Sequence, residues 1–471
     1  MTRRTEVLSD ESNEFSRLIP LKWLLSTGLR LDASYYAREV FSARRILERW
    51  PHRRVDELVQ RVFNLTRFKR VYAVKESGVP YLSPSEALLF RPSSERFLSK
   101  SRTEDLEQYL ACEGWALLTC SGTVGRIVYV DDRLSSFAFT HDLIRIVPRD
   151  DTQMGYLCAY LSSWIGQALL TKDQYGAAVK HLEAHHVNSV PVPLLPEGTR
   201  QAIDKNILKA YGLREQANIL LDKAQELLHV ELDLRPIVLE ELAEDSMGFA
   251  VPFSELGCRF DASYHNPVVR SVIRMLRRVS AEKVQLGSVC EIFLPDRFKR
   301  IYVGKTHGLP FLQPAHLVEI RPYDLKFVSK TKTEGIEKLV VRKNWAVMAR
   351  SGTIGRIAIV TSEYEGWCGS DDLLRIIPKD EEINIGYVVS FLMSRYGICQ
   401  FVRETYGGVI GHIEKEHLEQ MLIPRPSARI QEKIGDLVVR AFELKAEANA
   451  LEVETIANIE EELVRPGQVP N

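Results

Sequence analysis

Two long stretches of the chain place apolar residues at alternating steps of three and four. In one the series is Ala210, Leu213, Ala217, Leu220, Ala224 and Leu227; in the other it is Ile430, Ile434, Leu437, Ala441, Leu444, Ala448 and Leu451. A mean step of about 3.5 residues is that of a coiled-coil seam. No proline falls between Gln201 and Leu234 or between Arg429 and Val464. Each stretch therefore predicts one unbroken helix of roughly 35 residues, about 50 Å long. Alanine recurs at every seventh place (Ala210, Ala217, Ala224; Ala441, Ala448), which lets two helix axes approach to the short end of the usual ~8–10 Å. Matching seams predict that the two helices pack on each other. The alternative is that each packs on its own globular block.

The rest of the chain alternates on shorter periods. Trp115–Cys120 and Ile127–Val130 are β-rich runs around the turn SGTVG, and Trp345–Ala349 and Ile357–Val360 repeat them around SGTIG. Leu143–Val147 and Leu373–Ile377 predict buried strands ending at proline. Gly155–Leu170 and Gly386–Val402 predict helices. Proline-bearing exits, Val190–Pro196 and Leu422–Pro426, precede the long helices. The order is globular, helix, globular, helix.

These likenesses come from an internal duplication. Arg91–Val130 returns as Arg321–Val360 with 17 of 40 positions identical, where unrelated stretches would share about two or three. RLDASYY at Arg30–Tyr36 answers RFDASYH at Arg259–His265, and RFKRVY at Arg67–Tyr72 answers RFKRIY at Arg297–Tyr302. Two similar but unequal halves suit a device that engages two similar but unequal targets.

Composition adds limits. At 471 residues, 45% hydrophobic and 27% charged, the chain can bury sizeable cores in roughly three domains. It offers no run of about 18 apolar residues for a membrane span, and its first residues lack the apolar stretch of a signal peptide. The seven cysteines (Cys112, Cys120, Cys158, Cys258, Cys290, Cys368, Cys399) are odd in number and form no CxxC pair. That points to a reducing cytoplasm, without a zinc site or disulfide framework.

The net charge of −1 conceals blocks. Residues 15–197 carry 24 Lys+Arg against 20 Asp+Glu, and residues 249–426 carry 25 against 20. Residues 198–248 have 6 against 10, and residues 427–471 have 5 against 9. Mildly basic globular blocks suit a polyanion, while the acidic helices would be held off it or face a protein.

Catalytic patterns are missing. Asp371–Asp372 has His141–Asp142 in its place in the first copy, so a capping or ion-pair role is the better reading. Pro295–Asp296 lacks a following ExK, and Asn266–Pro267 lacks the NPPY-like loop of an adenine methyltransferase. Neither GxGxxG after a strand nor GxxxxGK[ST] occurs. His181, His185, His186, His412 and His417 follow the two Tyr-Gly loops without acid or thiol partners at ligand spacing, and read as loop histidines.

The ordered motifs resemble the specificity (S) subunit of type I restriction–modification systems over essentially the whole chain. GWALLTCSGTVG and NWAVMARSGTIG look like its strand–turn segment, with Trp115 and Trp345 in the usual aspartate place. VPYLSPSEAL and LPFLQPAHLV are similar to another of its strands, and YGAAVKHLEAHHVNSVPVPLLP and YGGVIGHIEKEHLEQMLIPRP to the segment before its helices. His181 and His412 stand where asparagine is common. The resemblance implies an α+β protein. Two tandem pseudo-symmetric target-recognition domains (15–197 and 249–426) would alternate with spacer helices (198–248 and 427–471) in an antiparallel coiled coil. It implies a cytoplasmic, non-enzymatic DNA-binding subunit that reads an asymmetric bipartite site and docks two methyltransferase subunits. In full systems it also meets a translocating endonuclease. S-adenosylmethionine, ATP and Mg would belong to those partners, and this chain would hold no cofactor or metal. A protein-binding or regulatory scaffold derived from such a subunit, without DNA reading, is the alternative.

The repeat also sorts contacts. A side chain kept in two units that read different bases holds the scaffold or touches phosphate, which is alike everywhere. Arg67, Lys69, Arg70 and Tyr72, with Arg297, Lys299, Arg300 and Tyr302, fit a phosphate-contact loop; so do Lys100 and Arg102 with Lys330 and Lys332. Base reading is expected from neighbouring positions that differ: Cys120 against Arg350, Lys180 against Gly411, and Phe139–His141 against Gly369–Asp371. Arg350 suits guanine N7 and O6.

Overall fold

The computed structural model describes residues 19, 21–26, 33–175, 180–237, 248–256, 259–352, 355–380, 382–406 and 411–465. The N-terminal arm, residues 30–32 of the RLDASYY motif, Cys258, Thr353 and Ile354 of the second turn, and residues 176–179 and 407–410 of the Tyr-Gly loops lie outside them. The chain divides into two compact units. One comprises Met1–Pro84, Ser94–Leu208 and Val453–Asn471; the other comprises Ser85–Ser93 and Lys209–Glu452.

In the first unit a main sheet orders Arg61–Phe63, Leu143–Val147, Ala116–Thr119 and Ile127–Tyr129, all antiparallel. A small sheet orders Tyr72–Ala73, Phe97–Ser99, Gly78–Leu82 and Ala138–Phe139, the last pair parallel. His52–Arg54 pairs with Pro191–Pro193. Proline is tolerated in that strand because it has a single strand partner. Its free carbonyls are used: the hydroxyl of Tyr156 donates to Pro193 and that of Tyr160 to Pro191, each at 2.7 Å.

The second unit repeats this plan. Its main sheet orders Cys290–Phe293, Leu373–Pro378, Ala346–Ala349 and Ile357–Ile359; its small sheet orders Tyr302–Val303, Phe327–Ser329, Gly308–Leu312 and Cys368–Gly369. Register is kept as well as order. Ala116 faces Ile146 in one unit and Ala346 faces Ile376 in the other.

Each unit buries one charged residue at the centre of the strand predicted to be apolar. Arg145 and Arg375 are both 0% exposed. Arg145 donates to the carbonyls of Leu143 (2.8 Å) and Phe139 (3.2 Å), and more loosely to those of Thr140 and Tyr109. Arg375 donates to the carbonyls of Ser370 and Gly369, each at 2.9 Å, and to those of Leu373 and Leu339. One guanidinium on the main sheet thus holds the last strand of the small sheet and the corner between them. Burial lowers the pKa of each arginine to about 10, so both stay charged near neutral pH.

The helices predicted over Gly155–Leu170 and Gly386–Val402 are each broken in two: Met154–Ser162 and Trp164–Thr171, and Ile385–Met393 and Arg395–Glu404. The cause is the serine at the break. The Ser163 hydroxyl accepts the Gly166 N–H and the Ser394 hydroxyl the Gly397 N–H, starting a new helix. The second pair bends by 72°, and among the described residues no single helix is long and apolar enough to cross a membrane.

The long helices run Glu197–Glu231 and Ala428–Val464. Within the second unit their direction is fixed by cross-pairs: Arg214 meets Asn449 at 2.7 Å and Glu452, while Lys433 meets Glu231 at 2.5 Å. They are antiparallel there. The seam alanines are buried, but Leu213, Leu220 and Leu227 are only half-buried, and Arg214, Asn218, Leu221 and Leu228 take the inner places. The helix has more than one neighbour: Gln225 donates to the Ser390 carbonyl at 2.8 Å and Asn218 to that of Phe90 at 2.9 Å. A stripe facing several neighbours widens beyond a two-helix seam.

Phe90 belongs to a strap, Ser85–Ser93, that comes from the first half of the sequence but lies in the second unit. The Phe90 amide donates to the Val318 carbonyl and the Ile320 amide to that of Leu88, both at 2.8 Å, around an antiparallel bridge of Leu89 with Glu319. Leu89 and Glu319 are equivalent positions of the repeat. Phe90 is buried against Phe442, and Arg91 pairs with Asp222 at 2.5 Å.

Replacing Arg375 by Met keeps most of the side-chain volume but removes a charged donor from four carbonyls. The expected cost is about 3 kcal/mol. It is read as faster amide exchange across Cys368–Pro378, with the strands around Arg145 as the internal control. Equal protection in both would refute the clamp.

Candidate nucleic-acid interface

The RFKR loops lead into the first strands of the small sheets. Arg67, Lys69, Arg70 and Tyr72 are exposed, as are Arg297, Lys299, Arg300 and Tyr302. Lys100 and Arg102, and Lys330 and Lys332, follow the neighbouring strand and are exposed too. Backbone bonds bring the two groups together: the Ser99 amide donates to the Val71 carbonyl at 2.8 Å, and the Lys100 amide to that of Ser77 at 3.1 Å. In the second unit the Ser329 amide donates to the Ile301 carbonyl at 2.8 Å, and the Lys330 amide to that of His307. One edge of each small sheet is thus a basic face.

Aromatic rings support it. Tyr72 lies 6.5 Å from Tyr81, whose ring carries Arg70 at 5.7 Å; Tyr302 lies 6.2 Å from Phe311, whose ring carries Arg300 at 5.4 Å. Tyr72 and Tyr302 stay 49% and 46% exposed although each touches the core.

Arg300 is not the free cation expected of a phosphate-contact loop. It pairs with Asp371 at 2.5 Å, which raises its pKa, because Asp371 lies at the end of the small sheet's last strand. The reading of Asp371 as an ion-pair acid holds. His141 stands at that place in the first unit, and Arg70 has no ion pair among the described residues.

A second line of contacts extends the face. The Arg350 amide donates to the Asp372 carbonyl at 3.0 Å, and its guanidinium pairs with Glu414 at 2.5 Å. Glu414 also accepts from the Tyr406 hydroxyl. Burial opposes its charge, but these two bonds hold its pKa below the usual carboxylate range. In the first unit the Cys120 amide donates to the Asp142 carbonyl at 3.2 Å, and Glu183 accepts from Tyr175 at 2.6 Å. Burial pushes the Cys120 thiol up to about 12, so it is inert. Arg350, expected to suit a guanine, has an acid partner in Glu414. The exposed Lys180 belongs to the same corner, since its carbonyl accepts the Gly122 N–H at 3.1 Å; Gly411 takes its place opposite Gly352 at 3.2 Å. These turns need glycine: φ is +73° at Gly122 and +75° at Gly352.

The loop histidines serve the backbone. His181 and His412 bridge the turn to the Tyr loop, and His186 and His417 accept the amides of Glu183 and Glu414. Among the described residues no group of His, Cys, Asp and Glu could hold a metal ion. The Tyr–Glu–Arg contacts were not foreseen. Tyr175 and Glu183 recur as Tyr406 and Glu414 at an offset of 231, a signal present in the repeat but overshadowed by the histidines between them.

Residues 279–460 match the family model of the type I restriction modification DNA specificity domain. The match lies in the second half of the chain. The first half repeats that stretch in sequence, strand order, register and buried arginine. No curated protein matches the chain. Among solved structures, the S subunit of a type I system from M. genitalium is 13% identical, with 89% of this chain and 97% of that one covered and a TM-score of 0.35. The HsdS subunit from Thermoanaerobacter tengcongensis is 15% identical, with 88% and 95% covered and a TM-score of 0.27. A chain from a study of type I complex assembly and conformational transition is 14% identical, with 88% and 95% covered and a TM-score of 0.28.

His141 reports on the charge of this face. Its pKa lies below 6.5, first because it is buried and then because Arg70 and Arg67 oppose a further positive charge; Asp142 pulls the other way. The unfolded chain therefore binds the proton first. The stability this residue contributes is full above about 6.5 and is lost as pH falls. Arg70→Ala is expected to raise the His141 midpoint in an NMR titration. An unchanged midpoint would place Arg70 away from it.

Proposed function

We propose that this chain is the DNA sequence-recognition subunit of a type I restriction–modification complex, reading an asymmetric bipartite site. The observation that carries the proposal is the duplicated basic face. The basic residues of RFKR and their basic neighbours are repeated and exposed in both units, while His141 and Asp371, and Cys120 and Arg350, differ beside them. Equal contacts suit phosphate and unequal ones suit bases. Residues 15–197 and 249–426 would each take one half-site. Residues 198–248 and 427–471 would form the coiled-coil spacer, in which a ~50 Å helix spans about 15 base pairs. Two methyltransferase subunits would dock on or near the helices, which carry the acidic blocks, with translocating endonuclease subunits in a complex that restricts. S-adenosylmethionine, ATP and Mg are assigned to those partners, in the cytoplasm.

Replacing Lys69 and Arg70 by Ala should weaken binding to all duplexes alike and reduce the slope of log affinity against log salt by up to about two counterions. The measurement is a salt titration of binding to specific and unrelated duplexes. A changed sequence preference at unchanged slope would contradict the phosphate role.

A further inference from the structure

We propose that Arg300 reads a guanine in the half-site taken by the second unit, with Asp371 as its positioning residue. This rests on the DNA-reading function proposed above and names a specificity determinant within it.

Arg300 and Asp371 have two properties that a phosphate contact does not need. The first is fixity. The guanidinium is held by Asp371 Oδ1 at 2.5 Å and lies 5.4 Å from the Phe311 ring centre, so one of its edges is occupied and one face covered. Yet the side chain remains 40% exposed, while Asp371 is 12% exposed. The acid is sunk and the arginine projects. The second is neutrality. The pair carries no net charge, so its attraction for a phosphate is weak compared with that of Lys299 or Lys330 beside it, which are exposed. Hydrogen bonds to neutral acceptors are unaffected by that cancellation.

The donors left on the guanidinium select the base. A fork of N–H groups has no acceptor, so its partner must present two acceptors side by side. In the major groove guanine alone does so, through N7 and O6; adenine pairs its N7 with an amino donor, cytosine presents a donor, and thymine has one carbonyl and a methyl group. An arginine already ordered by its acid loses little rotamer freedom on meeting them. The first unit lacks the arrangement. Arg70 rests on Tyr81 without an ion pair among the described residues, and the pKa of His141, at the place of Asp371, is lowered. Identical arginines of the repeat thus take different tasks: Arg70 serves the phosphate backbone and Arg300 a base.

The test is selection of bound duplexes from a randomised library by the full-length chain with the subunits that co-purify with it, followed by a salt titration. The unaltered protein is expected to prefer guanine at one position of one half-site by roughly ten- to hundredfold. The double variant Arg300→Ala with Asp371→Ala removes a neutral pair. It should lose that preference alone and keep the other positions and the salt slope. Asp371→Asn releases a free cation, so it should blur the same position and steepen the slope by about one counterion. Full retention of every base preference in the double variant would overturn the assignment, as would equal weakening on all sequences with a shallower slope. Loss of sequence-dependent binding in the unaltered protein is a separate result, since it would overturn DNA reading itself.

Discussion

A buried guanidinium bonded to backbone carbonyls is the constraint on which each unit depends. Arg145 and Arg375 lie in the middle of main-sheet strands and donate to carbonyls at the end of the small sheet, those of Phe139 and Gly369. A charge is costly to bury unless its donors are satisfied. Any displacement of one sheet against the other would break several charged hydrogen bonds at once. The corner they hold carries His141 or Asp371, and its next residue binds the turn at Cys120 or Arg350. The variable positions of the candidate interface are therefore mounted on an invariant pin. That arrangement lets the side chains at the corner differ between units without moving the scaffold.

The helices show a related economy. Glu452 is buried between Arg214 and Arg321, and Asn449 links Arg214 to Glu363. Burial opposes the charge of Glu452, but the two guanidiniums keep its pKa low. Such a cluster contributes little net stability over a packed apolar one, yet any register that separates its members is heavily penalised. In the second unit it holds the long helices in antiparallel register and ties them to the Arg321 segment. The adjoining strap supplies an apolar anchor at Phe90.

Much of this was legible in the chain, for identifiable reasons. Duplication revealed the two units, because 17 shared positions in 40 cannot come from composition alone. Proline-free heptads revealed the long helices, since period and length leave few other structures. What escaped was tertiary. Ser163 and Ser394 cap new helices inside apolar runs, and an apolar pattern does not show a serine's hydrogen bond. Arg145 sat in plain view within LIRIV, but a lone charge in a buried strand is legible only once its carbonyl acceptors are known. Leu213, Leu220 and Leu227 gave way to Arg214, Asn218 and Leu221 because the helix has several neighbours. The repeat also gathered basic residues that lie exposed along the small-sheet edges. It could not separate Arg70 from Arg300, because their difference lies in a partner some 70 residues away in sequence.

Similar scaffolds carrying dissimilar corners underlie the central proposal, that each globular block reads its own half-site. The most direct measurement is methylation mapping in cells that carry a chimera. In it, residues 249–426 are exchanged for the corresponding block of a related chain of different specificity. Contacts that share no partners should act independently, so one half-site of the methylated motif should change and the other should stay as it was. A simultaneous change in both half-sites would contradict the account, because the blocks would then form one composite reading surface.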